Sequence, residues 1–145
     1  MIKVDVKVNG LNKALQNIDQ FNLKVQKAVK DVVNESALNV QAGAKQRSPV
    51  DTGRLRASIA IEPQSQAPYV VRVGTNVQYA EAIEFGTAPR VITPTNKKAL
   101  FWKGASHPVK KVNHPGTKAK PFLFPAWEEE RPQFLIKLGE ALKNV

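Results

Sequence analysis

There is no cysteine in this chain of 145 residues. That excludes both a disulfide framework and thiolate metal chemistry. No apolar run approaches the ~18 residues that a membrane-spanning helix needs. The opening stretch from Met1 to Val8 alternates like a strand and lacks the apolar block of a secretory signal, so a chain made and folded in a cytoplasm is expected. Glycine is sparse and scattered, with 8 residues, so no phosphate-cradling loop is present. His107 and His114 each precede a proline, and no carboxylate or thiol lies in their stretch. They are read as no metal site, and no cofactor is expected.

The most informative absence is of acid. Between Glu84 and Glu128 there is no acidic residue, while the same interval holds Arg90, Lys97, Lys98, Lys103, Lys110, Lys111, Lys118 and Lys120. The whole chain carries a net charge of +10. That net charge favours contact with a polyanion or an acidic protein surface, and for the stretch itself nucleic-acid contact and a solvated basic loop stand as equal readings. These eight cations are the candidate DNA or partner contacts. No helix-turn-helix, zinc-finger or RNA-binding signature accompanies them, so any contact with phosphates would be independent of sequence.

What the chain has in abundance is periodicity. From Leu11 to Arg47 apolar residues recur at helical spacing, among them Leu15, Ile18, Val25, Val29, Val32, Val33, Ala37, Val40 and Ala44. One helix over this stretch would be roughly 55 Å long. A compact chain of this size has a diameter of roughly 40 Å. The helix therefore bends or projects, and a projecting amphipathic helix needs another chain to cover it. Leu23 and Leu38 lie off the main stripe and are candidate subunit contacts.

Around the helix the pattern is mixed. Ile2, Val4, Val6 and Val8 predict a strand, and Asn9-Gly10 a turn. The helix ends before Ser48-Pro49. Pro49 and Gly53 bracket a tight loop in which Asp51 or Thr52 caps a short helical turn. Ala57–Ile61 and Tyr69–Val73 predict an antiparallel hairpin across a turn at Gln64–Pro68. Gln78–Gly86 predicts a short helix with Gly86 as its C-terminal cap. Val91-Ile92 and Ala99–Trp102 predict further strands or one long hairpin with a basic tip, and Ser106–Lys120 an exposed loop or ribbon arm. Phe101, Trp102 and Phe122 beside lysines can stack on bases; Leu100-Phe101-Trp102 is too apolar to leave wet, so the core is the expected place. The last helix follows Pro121–Pro125, with Glu128, Glu129 and Glu130 near its positive end and a stripe at Phe134, Leu135, Leu138, Ala141 and Leu142. Pro132 either kinks it or marks a later start. Catalysis has little to stand on. Glu81 and Glu84 are three apart and can face one way as an acid–base pair, but a solvated face is the plainer reading, and the chain is expected not to be an enzyme.

Three segments in order resemble a known family: Ser48-Pro-Val-Asp-Thr-Gly-Arg-Leu-Arg-Ala-Ser-Ile59, Tyr79-Ala-Glu-Ala-Ile-Glu-Phe-Gly-Thr87, and His114-Pro-Gly-Thr-Lys-Ala-Lys-Pro-Phe-Leu123 followed by Pro125-Ala126. With the leading and trailing helices they resemble the tail-completion family of tailed bacteriophages, also described as head–tail joining or minor tail components, over nearly the whole chain. The resemblance implies one domain over residues 1–145 with an α+β fold, in which a curved antiparallel sheet packs on one long N-terminal helix, with a C-terminal helix and an extended basic loop or β-arm. It implies a structural virion protein of the neck, assembled in the host cytoplasm, joining head and tail as a subunit of a ring around the DNA passage. The implied partners are further copies of the chain, hexameric when assembled and monomeric when free, together with neighbouring neck and tail-terminator or tail-tube proteins. DNA would be a non-specific contact and a membrane no partner. Motif residues carry over as fold positions: Asp51 and Gly53 shape the elbow after the long helix, Gly86 ends the short helix, and Pro115-Gly116 turns the chain before the last one. The alternative is a small sequence-independent nucleic-acid-binding domain using the basic 90–120 segment.

Overall fold

The computed structural model describes residues 2–7, 23–63 and 69–144. Three strands form the main sheet: β1 (Ile2–Lys7), β2 (Ala60–Pro63) and β3 (Val70–Thr75). β3 is central, and both neighbours run antiparallel to it. Ile2 faces Thr75 and Lys7 faces Val70 on one side, while Ala60 faces Gly74 and Pro63 faces Val71 on the other. Alternation fixes this register. Ile2, Val4, Val71 and Val73 turn inward to the core, and a slip of one residue would turn them out. On the other face Asp5 meets Arg72 at 2.5 Å, and this hydrogen bond raises the guanidinium pKa above its ordinary value.

The long helix is α1 (Leu23–Arg47) in its described part, 25 residues or about 37 Å. Its expected beginning at Leu11, the Asn9-Gly10 turn and the Gln64–Pro68 turn lie outside the described residues. The buried face of α1 is Val25, Val29, Val32, Val33, Ser36, Ala37, Val40 and Ala44. These side chains are small or β-branched, so neighbours approach the helix closely. The closest is α4 (Leu123–Lys143), which buries Leu123, Ala126, Phe134 and Leu138. The two helices run antiparallel. Gly43 of α1 lies against Ala126. Ser36 Oγ donates to Glu130 at 2.8 Å, and Lys137 Nζ donates to Glu35 at 2.6 Å. That bond to Glu35 raises the Lys137 pKa. α1 also packs across β3, and α4 reaches β1. The result is an α+β fold with a small antiparallel sheet against a helical pair.

Two connections differ from the sequence pattern. Ala57-Ser58 belongs to α2 (Arg54–Ser58), not to a strand. The left-handed Gly53, φ 79°, starts the turn, and Ser58 Oγ closes it onto the Leu55 carbonyl at 2.8 Å, so β2 begins only after Ile59. Nor does the last helix start at Pro132. It is continuous from Leu123, and Pro125 sits in its first turn, where a missing N–H costs nothing. Glu128–Glu130 therefore lie beyond the first turn. The acid that serves the positive end of this helix comes from elsewhere in the chain.

Candidate assembly surface

That acid is Glu84. It sits on α3 (Ala80–Phe85), is 2% exposed, and belongs to no solvated face. Its carboxylate accepts the backbone N–H groups of Phe122 at 2.7 Å, Leu123 at 3.0 Å and Phe124 at 2.8 Å. These are orphan donors of the kind every helix start leaves unpaired, and a negative charge is favoured there. One side chain thus joins α3 to α4 across the segment between them. Nothing local signals it, because donor and acceptor are 38 to 40 residues apart. This also corrects the pairing of Glu81 with Glu84: Glu81 is exposed, while the Glu84 carboxylate is occupied as a cap.

The segment between α3 and α4 leaves and re-enters at one narrow base. Thr87 and Thr117 exchange backbone hydrogen bonds of 2.9 and 3.0 Å, and Lys120 N donates to Ile83 O at 2.7 Å. Both turn glycines stand here with positive φ, Gly86 at 74° and Gly116 at 87°. A Cβ on Gly116 would lie 2.3 Å from Thr87 O, and one on Gly86 would lie 2.6 Å from Thr117 O. The two chain segments cross too closely for any side chain. Above the base, β4 (Arg90–Ile92) pairs antiparallel with β5 (Val112–His114), Arg90 opposite His114, and the two form a ribbon separate from the main sheet. A further bridge joins Leu100 and Val109 through bonds of 2.7 and 2.9 Å, and the chain turns beyond it at Trp102–Ala105.

All eight cations, Arg90, Lys97, Lys98, Lys103, Lys110, Lys111, Lys118 and Lys120, are exposed on or beside this arm. The four ion pairs found among the described residues use other cations. Phe122 is fully buried, but Phe101 and Trp102 are 67% and 50% exposed, so the core is not where the arm aromatics lie. The ribbon is two strands wide, and among the described residues no second layer covers them. Together with Ile92, Leu100, Val112 and His114 they line an open cleft of about 430 Å³. A second open cleft, about 600 Å³, lies at the elbow between Pro49–Leu55 and Tyr79, Ile83 and Lys120, and Asp51 and Gly53 are part of its wall. Pro115 is exposed beside Gly116.

Leu23 and Leu38 are 81% and 57% exposed on α1. The sequence stripe for the last helix put Leu135 and Leu142 inside. Leu135, its neighbour Ile136 and Leu142 are instead exposed. Among the described residues no cluster of three or more His, Asp or Glu is placed to hold a metal ion, and no helix is long and apolar enough to cross a membrane.

Residues 10–86 match the model of a family described as "Bacteriophage HK97-gp10, putative tail-component". The match covers more than half of the chain and stops at Gly86, where the arm begins. Comparisons with curated proteins and with solved structures found no match.

Proposed function

The chain belongs to the HK97-gp10-like family of bacteriophage tail components, and on that premise we propose that it is a structural protein of the phage neck. In this reading it is one subunit of a ring that joins head to tail around the DNA passage. It acts by assembly and carries out no reaction. The observation that carries the reading is the arm, whose two strands pair with each other apart from the main sheet among the described residues, and which presents eight exposed cations without one acid. Rings close through contacts between unlike faces of successive subunits. The exposed Leu23 and Leu38 of α1 are candidates for such a face, while the basic arm suits the DNA passage or an acidic neighbouring ring. Neighbouring neck and tail-terminator or tail-tube proteins complete the partner set. The free chain is a monomer, and the assembled ring is hexameric.

The test is complementation. A phage lacking this chain should yield finished heads and tails that stay unjoined, and adding the purified protein should join them. Normal virions made without the chain would overturn the proposal.

The same eight cations favour a second reading, sequence-independent nucleic-acid binding by the arm. It requires the isolated monomer to bind duplex DNA with a slope of log K against log salt of about −7 if all eight engage phosphates. A flat salt dependence would remove it.

A further inference from the structure

The arm carries an apolar cleft that ring formation and phosphate contact leave unused. Its lining is Ile92, Leu100, Phe101, Trp102, Val112 and His114, and the polar side-chain atoms among them are the Trp102 indole N–H and the His114 ring nitrogens. Adjacent exposed aromatics over an aliphatic floor, on an arm whose charges are all positive, mark an interaction site rather than ordinary surface. The lining says what kind of group enters. His114 Nδ1 already accepts the Gly116 N–H at 3.0 Å. The Trp102 indole N–H and His114 Nε2 are the few polar side-chain atoms left for the several donors and acceptors of a nucleobase, so the largely apolar lining matches an apolar side chain better. Duplex DNA keeps its base faces stacked on one another and offers the aromatics nothing. An apolar side chain loses no hydrogen bond there.

Charge then narrows the partner. Lys103 follows Trp102 directly, Lys110 and Lys111 precede Val112, and all three are exposed. A second copy of this chain also carries +10 and so opposes the positively charged arm. We infer that the arm docks an acidic segment of a different protein. A large apolar side chain of that segment enters the cleft at Phe101 and Trp102, while flanking carboxylates meet Lys103, Lys110 and Lys111. The inference does not depend on the ring, since docking and ring closure are read by different measurements and either can fail alone.

The experiment uses the full chain and three fluorescently labelled probes followed by anisotropy. One is an acidic Asp/Glu peptide with a central Leu-Phe pair. The second is the same peptide with a central Ala-Ala pair, and the third is a single-stranded oligothymidine of equal charge. The Leu-Phe peptide is expected to bind at least about tenfold tighter than either of the others, the scale set by apolar groups in a hydrophobic pocket. A Phe101→Ser, Trp102→Ser variant should lose that preference and keep the weak binding due to charge. A Lys110→Glu, Lys111→Glu variant should weaken both peptides. Equal or tighter binding of the Ala-Ala peptide or of oligothymidine overturns the inference. So does absence of binding by the Leu-Phe peptide, or a preference that survives the double serine variant. Thermal melts of both variants, expected to match the parent, exclude unfolding as the cause of lost binding.

Discussion

Replacing Glu84 with alanine removes three hydrogen bonds at once, which makes it the most demanding perturbation of the fold. The donors at Phe122 and Leu123 are buried, and the one at Phe124 is partly so. A hydrogen bond to a charged acceptor contributes about 1.5–3 kcal/mol net, and a buried donor left without a partner costs a similar amount. Counting the two buried donors near the low end, and the third as an ordinary cap of about 0.5–1 kcal/mol, gives a loss of about 4 kcal/mol. For a chain of this size 1 kcal/mol moves Tm by about 3 °C, so Glu84→Ala should melt about 12 °C below the parent. Glu84→Gln keeps the shape and one acceptor oxygen. It loses the charge at the helix start and turns an NH2 group toward a donor. Its loss should be intermediate, about 2 kcal/mol. Calorimetry or circular dichroism gives Tm, and hydrogen exchange at the amides of Phe122, Leu123 and Phe124 localises the effect. A Glu84→Ala melt within about 3 °C of the parent, with those amides still protected, would refute the cap as the joint between α3 and α4.

Glycine replacements separate strain from collision. Gly53→Ala, with nothing near the added Cβ, should cost only the left-handed backbone penalty of about 1–2 kcal/mol, and Gly53→Val should be worse because a β-branched residue tolerates positive φ least. Gly116→Ala adds contact with Thr87 O at 2.3 Å and should cost clearly more than Gly53→Ala in urea titration; equal costs would contradict the close crossing at the arm base. The Phe101→Ser, Trp102→Ser pair should shift stability by no more than about 0.5 kcal/mol per site, as exposed surface does, and a large drop would mean the aromatics support the fold. Lys110→Glu with Lys111→Glu should leave the melt unchanged, and unfolding by this charge reversal would show that the arm is not the free ribbon described.

Much of the architecture is legible in the sequence because it rests on local period. The helical spacing of Val25 to Ala44 and the alternation of Ile2 and Val4 each follow from one buried face. The family is also legible: of the three segments, Ser48–Ile59 and all but the last residue of Tyr79–Thr87 fall within the matched residues 10–86, while the third, from His114 on, lies outside them. What escapes is non-local. Glu84 reads as one more surface carboxylate until the start of α4 is brought beside it from nearly 40 residues away. Hydrophobicity misleads at Phe101 and Trp102 for a related reason: apolar residues imply burial only if a second layer exists to bury them, and among the described residues the ribbon has none. Ser58 shows a smaller version. Its β-like neighbours suggest a strand, but a side-chain bond to Leu55 O holds one more helical turn. At Leu135 and Ile136, consecutive apolar residues on a helix cannot share one narrow stripe with Phe134 and Leu138, and the surplus faces outward.

The most direct test of the ring is the mass of the chain in solution, measured by native mass spectrometry or sedimentation, alone and then with the other tail and neck proteins of the same phage. Alone, 16.0 kDa is expected. With its neighbours a closed complex should form that contains six copies of the chain. A chain that stays at the monomer mass in the presence of those proteins, and instead binds duplex DNA with a steep salt dependence, would contradict the ring and leave the basic arm as a nucleic-acid-binding element.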